Sequence, residues 1–115
     1  MVVGLLSDLF FSARLRETAK ALGLPCEIVR DPALLVERVR STSPRLVVAD
    51  LNLKSGDAVA AVRELRADPE TRAVPIIGFL HDVQEELMAA GEAAGCDQVL
   101  SKGQLTRMLP DLLRR

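Results

Sequence analysis

Aromatic residues are scarce: the 115-residue chain has three phenylalanines, no tyrosine and no tryptophan. Its apolar content, 49% of residues, is carried by Leu, Val and Ala. That composition describes an aliphatic globular core and excludes a disordered chain. The two cysteines, Cys26 and Cys96, have no CxxC spacing and no histidine-rich company, which argues against a structural zinc site. They read as buried thiols in a reducing compartment. Basic charge is not in excess, with 15 Lys and Arg against 16 Asp and Glu, and no basic stripe is offered to nucleic acid. No apolar run approaches the ~18 residues that a membrane helix needs. The N-terminal MVVGLLSD has no basic region and meets an acid too early for a signal peptide. Repeats, linkers and low-complexity runs are missing as well. The expectation is a soluble cytoplasmic protein of one domain, residues 1–115, able to bury about two-thirds of its unfolded surface.

What the chain does contain is a regular alternation. Val2–Leu6, Cys26–Val29, Arg45–Asp50, Ile76–Leu80 and Asp97–Ser101 are short apolar runs fit for buried strands. Between them the period changes to that of a helix. Phe11, Leu15, Ala19 and Leu22 share one face, closed by Gly23 and Pro25. Asp31-Pro32 and Asp57 start the second and third helices. Asp82 and Glu85 have capping-box spacing for a fourth, with Val83, Leu87, Ala90 and Ala94 as its inner stripe and Gly91 as a cost of up to ~1 kcal/mol. Leu105–Leu113 is a last helix, kinked or broken at Pro110. Strictly alternating strands and helices imply a parallel sheet with right-handed crossovers. The expected fold is a flavodoxin-like doubly wound (βα)5 sandwich of strand order 2-1-3-4-5. Polar residues then gather at three strand ends: Ser7 and Asp8, Asp50, and Lys102.

With Asp8 after the first strand, Asp50 in VVADLNLKSGD after the third and Lys102 in VLSK after the fifth, the whole chain resembles the receiver domains of bacterial response regulators. The resemblance implies that Asp50 accepts a phosphoryl group from a histidine kinase or phosphotransfer protein. It implies that Asp8, Asp50 and the backbone carbonyl of Asn52 help to hold Mg²⁺, and that Lys102 pairs with the phosphoryl group. The chemistry suits those residue types. A carboxylate attacking phosphorus brings charge against charge, which a hard dication neutralises, and Mg²⁺ takes one or two carboxylates and keeps its waters. Lysine is a point charge for phosphate oxygens.

The departures from that family's pattern are equally specific. Ser7 stands where a second acid is usual, so weak Mg²⁺ binding is expected. Leu80 stands where a hydroxyl usually ends the fourth strand, and Val99 where an aromatic switch is usual. Gly103 and Lys54 occupy places where proline is common. The pattern resembles atypical or pseudo-receivers, which act as protein-binding modules. Each residue also has a plainer role open to it. Asp50 can cap its own loop, and Asp8 can cap the first helix. Lys102, one of three lysines, can form an ion pair with Asp50. His81 reads as a loop histidine near the mouth of the site, and one of Phe10 and Phe11 as exposed. A flavin or nucleotide module is disfavoured because Ser7-Asp8-Leu9 offers no glycine-rich phosphate loop. The expectation is a stand-alone receiver, not an enzyme, that acts on a downstream protein partner without contacting nucleic acid or membrane. The alternative is a phosphorylation-independent interaction module.

Overall fold

Runs of four or five apolar residues are too short to sustain a helix but long enough to cross a doubly covered sheet. In the computed structural model, which describes residues 1–82 and 84–115, the five runs are strands: β1 (Val2–Leu5), β2 (Cys26–Val29), β3 (Leu46–Asp50), β4 (Ile76–Leu80) and β5 (Gln98–Ser101). They form one parallel sheet in the order β2-β1-β3-β4-β5. With helices α1 (Leu9–Ala21), α2 (Leu35–Thr42), α3 (Ala58–Ala67), α4 (Glu85–Ala94) and α5 (Lys102–Arg114), this is the flavodoxin-like (βα)5 sandwich. A short 3₁₀ turn, Pro32–Leu34, leads into α2.

The three inner strands are buried along their whole length, and the two edge strands only partly. Side chains alternate across each strand, so β3 sends Val47 and Ala49 to one core and Leu46 and Val48 to the other. α1 and α5 cover the second core with Phe11, Leu15, Leu105 and Leu109. α2, α3 and α4 cover the first.

Helix starts follow the sequence at three places. The side chains of Asp8, Asp31 and Asp57 each accept from backbone N–H groups at the start of the turn that follows. The fourth differs. Gln84, not Asp82, is the N-cap of α4, and its side chain makes no capping bond because Asn52 holds it instead. The capping box of this fold is at α5, where Ser101 Oγ accepts from Gln104 N and Gln104 Oε1 accepts from Ser101 N. This cap starts α5 at Lys102, three residues before the expected start at Leu105. The helix then runs through Pro110 to Arg114 as one element, its stripe of Leu105, Leu109, Leu112 and Leu113 buried against the sheet. Of the kink or break expected at Pro110, the break does not occur. Val83, expected on the inner stripe of α4, lies outside the described residues.

Gly91 also has a different meaning from the one its propensity suggests. A Cβ there would lie 2.7 Å from Leu51 Cδ1, so the glycine permits α4 to sit close on the residue that follows Asp50. At the opposite edge of the sheet, Arg66 at the end of α3 joins three segments. Its guanidinium donates to the carbonyls of Gly95 (2.9 Å), Arg72 (2.7 Å) and Val74 (2.6 Å) and pairs with Asp97 at 3.1 Å. Among the described residues no helix is long and apolar enough to cross a membrane.

Candidate functional site

β3 carries Asp50 to the carboxyl edge of the sheet, where the chain leaves the strand and the two central crossovers diverge. The residue is 2% exposed. A buried carboxylate needs partners for its oxygens, and Asp50 has one for each. Oδ1 accepts from the backbone N–H of Asn52 at 2.8 Å, which turns the loop. Oδ2 lies 2.9 Å from His81 Nε2. β4 pairs with β3 so that Phe79 is opposite Asp50. His81, two residues on, is thereby brought over the carboxylate, its ring 5.7 Å from that of Phe79.

Asn52 extends this network. Its Oδ1 accepts from the backbone N–H of His81 at 2.8 Å, and its Nδ2 donates to Gln84 Oε1 at 2.8 Å. The loop after Asp50 is therefore tied both to the end of β4 and to the start of α4.

Asp8 stands at the neighbouring strand end. Its Oδ1 caps α1 by accepting from Phe10 N (2.9 Å) and Phe11 N (3.2 Å). Its Oδ2 accepts from Lys102 Nζ at 2.7 Å. The Lys102 bond, and after it the amide of Phe11, hold the Asp8 carboxyl below the usual carboxylate range against an opposing effect of burial. The ion pair of Lys102 with Asp50 expected from the sequence is thus replaced by one with Asp8. The physical reason is placement. α1 and α5 lie on the same face, so the first turn of α5 faces the first turn of α1, and the ammonium sits 5.8 Å from the centre of the Phe11 ring. The outer oxygen of Asp50 is meanwhile taken by His81. Phe11 and Phe79 are in contact, with ring centres 4.9 Å apart, and link the two halves of the site.

Between them is an open cleft of about 620 Å³ lined by Ser7, Asp8, Asp50, Asn52, Lys54, His81 and Asp82. Three of the four site residues expected from the sequence line it, and Lys102 reaches it through Asp8. Carboxylate oxygens, the kind of donor a hard divalent cation takes, are carried by three of these lining residues, Asp8, Asp50 and Asp82. Among the described residues no group of three or more His, Cys, Asp or Glu side chains could hold a metal by itself. Leu80 is buried in the core beneath and Val99 is half-buried, so neither brings a hydroxyl or an aromatic ring to the cleft. Sequence reasoning placed His81 near the mouth of the site, where it lies, but missed its bond to Asp50. The available signal was its position, directly after the strand that pairs with β3. The expectation of an exposed phenylalanine holds: Phe10 is 90% exposed and Phe11 is buried.

No protein-family model matches the sequence, and no curated protein matches it. Solved structures do match the fold. The receiver domain of a sensor histidine kinase from Pseudomonas aeruginosa PAO1, with a magnesium ion coordinated in its active-site cleft, superposes with a TM-score of 0.85 at 22% identity, covering 99% of this chain and 93% of its own. The receiver domain of a signal transduction histidine kinase from Syntrophus aciditrophicus gives 0.85 at 20% identity, with 99% and 86% covered. The chemotaxis response regulator CheY4 of Vibrio cholerae gives 0.84 at 18% identity, with 99% and 95% covered. The fold of this chain is the fold of those receiver domains.

Proposed function

We propose that the chain is a receiver module of two-component signalling, in which Asp50 accepts a phosphoryl group from a histidine kinase or phosphotransfer protein and the output is contact with a downstream protein. The observation that carries this reading is the state of the two Asp50 oxygens. Oδ1 is fixed by the Asn52 amide, so the carboxylate cannot rotate freely, and Oδ2 is directed to a cleft shared with a second acid and, through it, a lysine. A nucleophile held by one oxygen and presented by the other has its orientation set in advance. In the transfer, the Oδ2–P bond forms as the P–N bond of the donor phosphohistidine breaks. His81 must release Oδ2 for this to occur.

The oxygens of Asp8, Asp50 and the Asn52 carbonyl match Mg²⁺ in kind, and a bound Mg²⁺ would neutralise the charge that gathers on the phosphoryl oxygens. Weak binding is expected, because Ser7 contributes no charge and Lys102 already occupies Asp8 Oδ2. In this reading Lys102 exchanges its bond to Asp8 for one to the phosphoryl group, a change of partner between two acceptors that the same ammonium can reach.

The test is incubation with Mg²⁺ and acetyl phosphate followed by intact-mass measurement. Addition of one phosphoryl group to the wild type, and none to Asp50→Asn, is the expected result. A second reading, a phosphorylation-independent interaction module, is favoured by one feature: both acids are already paired internally, Asp50 with His81 and Asp8 with Lys102. No mass gain in the wild type would retire the first reading in favour of the second.

A further inference from the structure

Neither Leu80 nor Val99 brings a hydroxyl or an aromatic ring to the cleft, yet Asp50 is physically connected to α4. The connection has three links: His81 Nε2 to Asp50 Oδ2 at 2.9 Å, His81 N to Asn52 Oδ1 at 2.8 Å, and Asn52 Nδ2 to Gln84 Oε1 at 2.8 Å. Each is of ordinary hydrogen-bond length, and they join residues from three separate segments. We infer that Asp50, His81, Asn52 and Gln84 form a coupling chain through which the chemical state of Asp50 Oδ2 sets the position of the N-terminus of α4.

Three observations support this. First, His81 holds the one oxygen of Asp50 that is not bonded to backbone, so a group added there must displace the imidazole. Oδ2 then becomes the bridging oxygen of an acyl phosphate, a much poorer acceptor than a carboxylate oxygen. Second, imidazole and backbone of His81 are engaged in different links, so displacement of the ring bears on the residue whose N–H Asn52 receives. Asn52 in turn uses its side-chain carbonyl for His81 and its amide nitrogen for Gln84, and cannot follow one partner without disturbing the other. Third, Gln84 is the N-cap of α4 and makes no capping bond of its own. The start of this helix is held by a residue from the loop after Asp50 where a local cap would ordinarily hold it. The other helix starts with an Asp or Ser cap, those of α1, α3 and α5, are held by their own side chains. Gln84 also lines a shallow cleft with Glu85, Glu86, Leu87 and Ala90, so its displacement changes an exposed acidic and apolar surface.

The trigger of this chain rests on the acceptor reading above, whereas the coupling itself can be measured without a phosphoryl group. Asp50→Asn alters the acceptor that His81 faces while keeping the shape of the side chain. Backbone amide shifts from ¹⁵N-labelled protein are compared for Asp50→Asn in the wild-type background and in Gln84→Ala. Gln84 is exposed, so its truncation opens no buried cavity. The expected result is displacement of the Glu85–Leu87 amides by Asp50→Asn in the wild type, with loss of that displacement in Gln84→Ala and again in His81→Ala. Shifts confined to the cleft, or α4 displacements that persist unchanged in Gln84→Ala, would overturn the inference. The mass measurement reports on phosphoryl acceptance separately, so failure of the acceptor and failure of the coupling are told apart.

Discussion

Alanine in place of a glycine in the middle of a helix ordinarily stabilises it by about 0.5–1 kcal/mol. Gly91→Ala should do the reverse. The added methyl would meet Leu51 Cδ1 at 2.7 Å and Val99 Cγ2 at 3.3 Å. Leu51 has little room to withdraw, because it also fills the space above Gly78, where a Cβ would meet its Cδ1 at 3.0 Å. Forcing a methyl into such a site costs about 1–3 kcal/mol. With the helix gain subtracted, the balance is a net loss of about 1 kcal/mol. Urea unfolding followed by circular dichroism measures it as a lower midpoint with an unchanged slope. The steric cause has its own control. Leu51→Ala lowers stability by about 2–5 kcal/mol through the cavity it leaves, but it removes the obstacle. In that background Gly91→Ala should become stabilising, so that the two substitutions show a favourable coupling of about 1–3 kcal/mol. An increase in stability on Gly91→Ala in the wild type, or the same effect in both backgrounds, would refute the packing argument.

Two further outcomes follow from the titratable groups. Lys102→Met removes the main cause of the low Asp8 pKa, so the carboxyl should titrate at higher pH in a side-chain NMR titration while remaining influenced by the Phe11 amide. Because the folded-state value is depressed, the stabilisation from this pair is present above the unfolded carboxylate value and is lost as pH falls through the folded one. The variant should therefore be less stable near neutral pH, by about 0.5 kcal/mol for a partly exposed pair, and equal to the wild type in strong acid. Burial raises the Cys96 thiol to about 11 and also raises Cys26. Neither should react quickly with a thiol reagent at pH 8 in the native protein, Cys96 being the slower, and both should react on addition of denaturant.

The sheet was legible because each strand is a short apolar run that ends at a charged or turn-forming residue, and alternation with helices leaves a parallel order as the natural solution. The gathering of Asp8, Asp50 and Lys102 followed from strand ends alone. Which of them would pair was not legible. Lys102 bonds Asp8 because a cap at Ser101 starts α5 early and aims its first turn at α1, and that cap depends on Gln104 three residues further on. His81 reaches Asp50 because of the β3–β4 register, which is a property of the folded sheet and not of either strand's sequence. Asp82 lost the capping role to Gln84, whose interaction is with a residue 32 positions away. The interior Gly91 looked like a defect of propensity and is a requirement of packing. Apart from the local Ser101–Gln104 cap, the deciding contacts are long-range and polar or steric, and neither hydrophobic period nor local spacing encodes them.

The Arg66 guanidinium gives α4 unequal ends. The carbonyl of Gly95, just past its C-terminus, is bonded to an arginine that also holds two other carbonyls and Asp97, whereas among the described residues its N-terminus is joined to the cleft by an amide–amide hydrogen bond. A ten-residue helix is about 15 Å long. If its lower end is the pivot, a displacement of about 1 Å at Gln84 tilts the whole helix by roughly 4°, with the largest excursion beside the cleft and almost none at Gly95. The clamp that closes loops at the far edge of the sheet would then make α4 a lever with its greatest travel at the first turn, where the proposed partner would read it.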